Sequence, residues 1–334
     1  MNATPSTNPS LSRGYPIALA SAAVLSLTAI FIRYLTQTYG LPALVLAVWR
    51  DVFVSTSLLA FLALGRRKLL KVGRGQLAFL LGYGLVLAVF NTSWTLSVAL
   101  NGAAVATVLA YCSTGFTALL GWWVLKERLN WAKLVAVLLS LGGCVLVAGA
   151  FSPAAWHANL VGILTGILSG LAYAAYSLMG RSASQRGLNP WTSLLYTFLF
   201  AAVILLGFNL LPAGLLPGVT PGAGKLLWLG GSVLGWGLLL ALAIGPTLFG
   251  YGLYNVSLSY LPSGVANLIV STEPVFTAVI AYIFLGERLT FIQVVGSLLI
   301  LSAVALLRVY EGWLAGRERP PAKSPPGEAI ELGD

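Results

Sequence analysis

Charged residues are scarce in this sequence. Of its 334 residues, 8% are charged and 58% are hydrophobic. Soluble domains carry roughly 25% charged residues, so a chain with so few charges cannot cover its whole surface with groups that favour water. The scarcity of charge excludes an ordinary soluble protein and indicates a chain surrounded by lipid.

Residues that bind metals, form disulfides or hold nucleotides are also few. The two cysteines, Cys112 and Cys144, lie in apolar stretches and give neither a metal-ligand spacing nor a disulfide framework. The single histidine, His157, lies between apolar stretches. The sequence has no glycine-rich loop ending in Lys-Ser/Thr, the motif that binds ATP phosphates. We therefore predict no metal, no cofactor and no use of ATP.

Long apolar runs dominate what remains. About 20 mostly apolar residues are enough to cross a bilayer as a helix. Ten such runs lie near residues 14–35, 42–64, 76–99, 102–125, 131–150, 158–180, 190–211, 233–259, 262–285 and 291–311. The polar ends, 1–13 and 316–334, are predicted to be disordered cytoplasmic tails. The sequence thus predicts an all-α integral membrane protein with ten transmembrane helices.

The basic residues test this topology. With the N-terminus in the cytoplasm, all of the 19 Lys and Arg fall on the cytoplasmic side except Arg33, Arg50, Lys225 and Arg288. This bias follows the positive-inside rule. It predicts a multi-pass protein of the inner (plasma) membrane with both termini in the cytoplasm. Because the net charge of +10 is spread over several loops at one face, it indicates contact with membrane lipid and not with nucleic acid.

An internal repeat divides the chain. Residues 91–147 align with residues 251–307 at a constant offset of 160, which places Leu-Lys-Glu-Arg-Leu at 125–129 on Leu-Gly-Glu-Arg-Leu at 285–289. The repeat unit contains five spans, an odd number, so the two units are predicted to cross the membrane in opposite directions. Such inverted repeats recur in secondary transporters, with a substrate site between the halves. The alternative interpretation is that the duplication is only the origin of a ten-helix bundle and has no role in transport.

The chain resembles a known superfamily at several points: Trp49-Arg50 in the second span, Glu273-Pro274 in the ninth, and the Gly-Glu-Arg-Leu turn before the last helix. With ten spans in two halves, these features resemble the drug/metabolite transporter superfamily, EamA type, and most of all the YddG-type exporters of aromatic amino acids. The resemblance implies two five-helix repeats, at 14–150 and 158–311, around a central cavity. It also implies export of amino acids or related metabolites by alternating access.

Glu273 is the most informative single residue. It lies near the middle of the ninth span, where an ionisable side chain costs about 2.5 kcal/mol or more and usually faces a cavity or a partner. Pro274 follows it and is predicted to weaken the helix there. A substrate or ion site at mid-membrane is one interpretation. A buried acid beside a packing kink is the other.

Polar and aromatic residues recur at helical spacing in several spans and are expected to face the interior, because polar groups that face lipid have no partners. The predicted substrate-binding residues are Tyr83, Asn91, Trp94, Tyr111, Tyr176, Tyr251, Tyr254, Asn267, Ser271 and Glu273. The same stripes include Thr107, Thr114, Ser169, Tyr173, Thr247 and Asn255. For Trp94 and Tyr254, a place in the interfacial aromatic belt is the alternative.

Arg50 and Asp51 form a second charged position inside the membrane. Adjacent helical residues do not face each other, so each is predicted to need a partner on another helix. Arg50 is assigned, with Glu273, to a coupling or structural role: it would tie the second span to a neighbour, or bind a substrate carboxylate bidentately.

These observations predict a secondary transporter that exports amino acids, aromatic ones favoured, or related small metabolites. A passive facilitator and an exporter of drugs or organic cations would use the same cavity. A membrane-embedded enzyme needs clustered catalytic groups, whereas the intramembrane acids are only Asp51 and Glu273. We therefore predict that the protein is not an enzyme, and that it functions as a monomer with a small-molecule substrate.

Overall fold

The computed structural model describes residues 9–125, 130–147, 153–212, 216–219, 223–258, 260–261 and 269–317. Within these ranges the regular secondary structure is helical and contains no strand, which confirms the predicted all-α class. The first Glu-Arg-Leu turn, at 127–129, and the predicted site residue Asn267 lie outside the described residues.

Helices follow one another closely along the chain. They are α1 (Pro9–Thr38), α2 (Ala43–Gly65), α3 (Arg74–Asn101), α4 (Ala103–Ala110), α5 (Ser113–Leu125), α6 (Trp131–Val147), α7 (Pro153–Gln185), α8 (Pro190–Asn209), α9 (Val233–Leu242), α10 (Gly250–Leu258), α11 (Glu273–Leu285) and α12 (Phe291–Arg317). Short 3-10 helices span Arg67–Leu70 and Ala223–Leu227, and a π-helical segment, Ala243–Phe249, joins α9 to α10.

The helices are those of a multi-pass membrane protein. Seven stretches are long and apolar enough to cross a bilayer, and three shorter apolar helices accompany them at Trp131–Val147, Glu273–Leu285 and Phe291–Leu307. These ten segments lie at the ten predicted spans. The exact number that crosses the membrane stays a prediction, because α6 and α11 fall below the usual spanning length of about 20 residues and only Phe291–Leu307 of α12 is counted as its apolar part.

Polarity is distributed as expected for a protein in lipid. Large apolar side chains point outward, among them Phe61, Trp123 and Phe284, which are 62%, 74% and 75% exposed. Many polar side chains are buried instead, including Thr107 and Ser140, whose hydroxyls donate to backbone carbonyl oxygens. Interior polar groups find hydrogen-bond partners that lipid cannot offer, so the polar stripes lie inside the helix bundle.

The internal repeat is visible in the helix ends. Helix α5 spans residues 113–125 and α11 spans 273–285, and α6 begins at 131 where α12 begins at 291, so the offset of 160 applies to all of these bounds. The fourth span breaks at Tyr111-Cys112 and the ninth at Ser271-Thr272, the same repeat position. Two spans, one from each half, are therefore interrupted at equivalent depth.

The two repeats are inverted. A Cβ atom on Gly143 of α6 would lie 2.6 Å from the carbonyl oxygen of Gly296 on α12, and one on Gly296 would lie 2.7 Å from that of Gly143. Ala136 of α6 packs with Ala303 of α12. The two helices therefore run antiparallel. The offset of 160 relates position 136 to 296 and position 143 to 303. Exchanging the two repeats therefore turns the contact between 143 and 296 into the contact between 303 and 136, as a two-fold axis does.

Small residues also allow close packing of α7 against α4. A Cβ atom on Gly166 would lie 2.5 Å from Cδ1 of Leu109, and one on Gly170 would lie 3.1 Å from the Leu109 carbonyl oxygen. Glycines at this spacing let neighbouring membrane helices approach closely. The contact holds α7, which carries two cavity tyrosines, against the broken span of the first repeat.

Candidate functional site

A cavity of about 210 Å³ lies between the two broken spans. Its walls come from α1, α2, α3, α4, α7, α8, α10 and α11. Eight of the predicted site residues line it: Arg50, Asn91, Trp94, Tyr111, Tyr176, Tyr251, Tyr254 and Glu273. Residues from distant parts of the sequence, predicted from helical spacing or from a charge inside a span, thus converge on one space.

Two further predicted residues do not line this cavity. Tyr83 is buried and lines an adjoining cavity, with its ring centroid 4.7 Å from that of Tyr176. Ser271 lies in the turn before α11 and is not among the lining residues of either cavity.

The cavity also contains residues that were not assigned to substrate binding. Thr107, Tyr173 and Thr247 belong to the polar stripes that were predicted to face the interior, and they line the cavity. The apolar part of the lining was missed and comprises Leu25, Leu87, Phe90, Ala110, Phe198 and Val270. Thr28, a polar residue of α1, also lines the cavity. An apolar side chain in a membrane helix looks the same whether it faces lipid or a cavity. One signal could have identified part of the apolar lining: on α3, Leu87, Phe90 and Trp94 lie at helical spacing around Asn91 and therefore share its face.

Glu273 is the first residue of α11 and meets the break in the other repeat. Its Oε2 atom accepts a hydrogen bond of 3.0 Å from the hydroxyl of Tyr111. Pro274 occupies the first turn of α11, where the lack of an N–H group has no cost. The helix therefore stops before Glu273 and restarts at it, whereas the sequence predicted a continuous helix weakened by Pro274. The restart directs the carboxyl group into the space between the two breaks.

Arg50 and Asp51 contact each other directly, although adjacent helical residues were not expected to face each other; Arg50 also contacts Trp94 of α3. Arg50 Nε lies 3.3 Å from Asp51 Oδ1, because the long arginine side chain folds back over its neighbour. Asp51 also has the partner on another helix that was predicted for it: Asn91 Nδ2 on α3 donates to Oδ2 at 2.6 Å. Arg50 and Asp51 are 3% and 0% exposed. Asn91 therefore ties α3 to α2 as well as lining the cavity.

Aromatic rings form a continuous wall along one side. Phe90 stacks on Trp94 and on Tyr173, with centroid separations of 6.0 and 5.2 Å. Tyr173 in turn lies 6.5 Å from Tyr176. The Arg50 guanidinium carbon is 5.7 Å from the Trp94 ring centroid, within the range of a cation–π contact. The wall can contact an apolar or aromatic group through its ring faces.

A π-helical segment positions the opposite wall. Pro246 lies inside the segment Ala243–Phe249, and the Thr247 hydroxyl donates to the Leu242 carbonyl oxygen at 3.0 Å. π-helical turns are rare and frequent at functional sites. This turn leads directly into α10, whose Tyr251 also lines the cavity.

One end of the cavity continues toward the protein surface. An adjoining cavity of about 190 Å³ shares Tyr176, Tyr251 and Tyr254 with the first. It extends to the junction of α7 and α8, where Ser184 and Pro190 are exposed. The three tyrosines therefore lie between the central space and this end of the molecule.

Contacts between charged groups and backbone join helix ends on the other side of the cavity. Arg33 of α1 forms an ion pair with Glu287, Nε to Oε1, at 3.3 Å. Glu287 also accepts hydrogen bonds from the backbone N–H groups of Ala103 and Ala104, at 2.9 and 3.1 Å. Arg33 Nη1 donates to the carbonyl oxygen of Ala99. The Arg33–Glu287 contact thus joins α1, the α3–α4 turn and the α11–α12 turn.

Backbone geometry in the two turns permits this contact. Gly102 has φ of 91°, and a Cβ atom there would lie 2.8 Å from Glu287 Oε1. Gly286 has φ of 66° and ends α11 in a left-handed conformation, which glycine adopts without steric cost. Glycine at 102 leaves room for the carboxylate to reach the first N–H groups of α4.

In the parts of the chain given above, no three His, Cys, Asp or Glu side chains come together as metal ligands would. The charged groups of the cavity come singly, from different helices.

Inverted repeats around a central cavity, in a multi-pass membrane protein, define a transporter of the inverted-repeat class. The sequence agrees with this class. A model of the EamA-like transporter family matches residues 12–149 and 160–309, and the chain belongs to this family, within the drug/metabolite transporter superfamily. The finer resemblance to YddG-type exporters stays a prediction.

Relatives of known name lie within the same family. The chain is 30% identical over 238 residues to the Salmonella typhimurium protein named threonine/homoserine exporter RhtA, with 70% of this chain and 72% of that protein covered. It is 26% identical over 277 residues to a probable amino-acid metabolite efflux pump of the same species, with 80% and 85% covered. An uncharacterized transporter of Synechocystis is 27% identical over 231 residues, which span 68% of this chain and 65% of that protein, less than two thirds of its length.

A solved structure shares the fold. One crystal structure superposes with a TM-score of 0.55 at 19% identity and covers 90% of this chain and 98% of that chain. At this level of identity the likeness concerns the fold alone.

Proposed function

We propose that this protein is a secondary carrier that exports amino acids, aromatic ones favoured, across the inner membrane by alternating access. The observation that carries the proposal is the central cavity, which continues toward one face past three tyrosines and is closed toward the other by the Arg33–Glu287 contact. A carrier in one of its two end states requires this arrangement. The names of the amino-acid exporters among its relatives support the same substrate class.

The distribution of basic residues supports an orientation. With the N-terminus in the cytoplasm, the α7–α8 junction faces the cytoplasm and the Arg33–Glu287 contact faces outside. The cavity then opens toward the side from which an exporter loads its substrate. The inverted repeats supply a route to the second state, since the two halves can exchange conformations around a fixed central site.

The size and lining of the cavity support a small organic substrate. Its volume of about 210 Å³ lies below the roughly 300–1,000 Å³ of pockets for drug-sized ligands. Phe90, Trp94 and Tyr173 offer stacked ring faces, which favour aromatic side chains in offset or edge contacts. These features support phenylalanine-like amino acids ahead of large drugs.

Counterflow in proteoliposomes tests the proposal. Vesicles that contain the full-length protein are loaded with unlabelled L-phenylalanine, and uptake of labelled L-phenylalanine is followed with and without L-threonine or a quaternary ammonium as competitor. We expect transient, saturable accumulation of labelled L-phenylalanine in the vesicles. External L-threonine should inhibit this accumulation less than external unlabelled L-phenylalanine does. Protein-free vesicles and the Ser302→Ala variant, an exposed site on α12, are the controls.

Each other outcome contradicts part of the proposal. Stronger inhibition by L-threonine would remove the aromatic preference. Counterflow of the quaternary ammonium but not of amino acids would assign the cavity to organic cations. A linear, unsaturable flux would contradict alternating access and favour a passive pathway.

A further inference from the structure

We propose that the cavity recognises the zwitterionic head group of an α-amino acid, with Nη1 and Nη2 of Arg50 binding the carboxylate and Oε1 of Glu273 binding the ammonium group. The proposal rests on the proposed function and adds to it the chemical class and the orientation of the substrate. Both residues line the same small cavity and come from different repeats.

Arg50 presents an unused pair of donors. Its guanidinium carries five N–H donors in a fixed fork. The one on Nε is directed to Asp51 Oδ1. Throughout the described residues, Nη1 and Nη2 have no protein acceptor, and the side chain, which is 3% exposed, lines the cavity. The two nitrogens are therefore available to a ligand in the cavity, and a carboxylate can accept from both at once.

Asp51 and Trp94 fix the direction of this fork. The contact at Nε holds one edge of the guanidinium against Asp51, and Asn91 holds Asp51 from its other side. The ring of Trp94 lies 5.7 Å from the guanidinium carbon. A guanidinium held on two sides loses little freedom when a ligand binds, so the fork is preorganised.

Glu273 presents the complementary acceptor. Tyr111 occupies Oε2, and no donor to Oε1 exists among the residues that the structure covers. The carboxyl group lines the cavity at the start of α11. An ammonium group has three donors and no acceptor, so it suits a carboxyl oxygen without a partner.

The two groups together discriminate between classes of solute. A zwitterion satisfies both, whereas an organic cation leaves the arginine fork without an acceptor and an organic anion leaves Glu273 Oε1 without a donor. An unsatisfied buried polar group is costly. The side chain of the amino acid would then lie along the wall formed by Phe90, Trp94 and Tyr173.

Matched analogues separate the two contacts in the wild-type protein. Counterflow of L-phenylalanine is challenged with L-phenylalaninamide, which lacks the carboxylate, and with N-acetyl-L-phenylalanine, which lacks the ammonium. N-methyl-L-phenylalanine, which adds bulk but keeps the positive charge, is the steric control. We expect the amide and the N-acetyl compound to compete at least ten-fold more weakly than L-phenylalanine, and the N-methyl compound to remain a competitor.

Variants assign each contact to its residue. Arg50→Gln should abolish the preference for the free acid over the amide, and Glu273→Gln should abolish the preference for the free amine over the N-acetyl compound. Each variant should leave the other preference intact. Because Arg50→Gln leaves Asp51 without its cation and can impair folding, Arg50→Lys is the second variant at this position, with a reduced preference for the acid expected. Ser177→Ala on the exposed side of α7 is the matched control.

The possible failures are distinguishable. If L-phenylalanine is exchanged but the amide competes equally, the carboxylate contact is wrong and the proposed function survives. Equal competition by the N-acetyl compound would overturn the ammonium contact in the same way. If neither L-phenylalanine nor L-threonine is exchanged, the proposed function itself fails.

Discussion

Replacing Glu287 with glutamine should release the closed end of the cavity. Glu287 accepts two backbone hydrogen bonds, at 2.9 and 3.1 Å, and pairs with Arg33 at 3.3 Å. Glutamine keeps one carbonyl oxygen for one of the two N–H groups and loses the charge and the second acceptor. The fold and the rest of the cavity should be unaffected, since these contacts lie in turns at one end.

The size of the effect follows from these contacts. Hydrogen bonds to charged groups contribute about 1.5–3 kcal/mol each. The Arg33 and Glu287 side chains are 18% and 17% exposed, so their ion pair contributes only about 1 kcal/mol. A net loss of about 2 kcal/mol would raise the ratio of open to closed states about 30-fold.

Cysteine accessibility measures this ratio. The background carries alanine at the two buried cysteines, Cys112 and Cys144, and Thr28→Cys as a probe on α1 inside the cavity. A membrane-impermeant maleimide is added outside intact cells. We expect Glu287→Gln to raise the rate of labelling by about ten-fold or more, provided that the rate follows the population of the outward-open state.

A neighbouring charge supplies the control. Arg288 lies next to Glu287 but directs its guanidinium over the Tyr282 ring, so Arg288→Gln should leave labelling unchanged. Equal rates in the wild type and Glu287→Gln would refute the idea that this contact holds the cavity closed. Equal increases in both variants would attribute the effect to loop charge alone.

Two predictions concern stability and are checked by thermal unfolding in detergent. Gly166→Leu should lower the melting temperature, because overpacking against Leu109 costs about 1–3 kcal/mol. Gly142→Ala should leave the melting temperature unchanged, because an added Cβ atom there meets nothing within 4 Å. Equal melting temperatures of the two variants would exclude close packing at Gly166. Asn91→Leu should destabilise the protein by about 1–3 kcal/mol, because Asp51 Oδ2 loses the donor that lies 2.6 Å away. A variant that melts at the wild-type temperature would show that this hydrogen bond has no structural role.

The repeat was the part of the fold most accessible from sequence. The Glu-Arg-Leu match sets the offset of 160, and the helix bounds follow the same offset. Sequence did not reveal that both central spans break, because only the second break carries a proline. In the first repeat α4 ends where Tyr111 N–H bonds to the Val108 carbonyl oxygen at 3.0 Å, and no residue type marks this tightening.

The polar half of the site was predictable and the apolar half was not. Polar residues such as Asn91 and Tyr251 stand out in a membrane helix because lipid offers them no partner. Phe90 and Phe198 also line the cavity, but they would be equally stable facing lipid. The contact between Arg50 and Asp51 was missed because helical spacing describes Cβ directions and not the reach of a long side chain.

Cross-linking the closed end tests the central claim most directly. In a background without Cys112 and Cys144, Arg33→Cys and Glu287→Cys are joined by a short reducible bifunctional reagent, and counterflow is measured before and after reduction. Alternating access predicts that counterflow falls to the level of protein-free vesicles in the cross-linked protein and returns when the link is reduced. Undiminished counterflow through fully cross-linked protein would contradict a carrier that must open at this end.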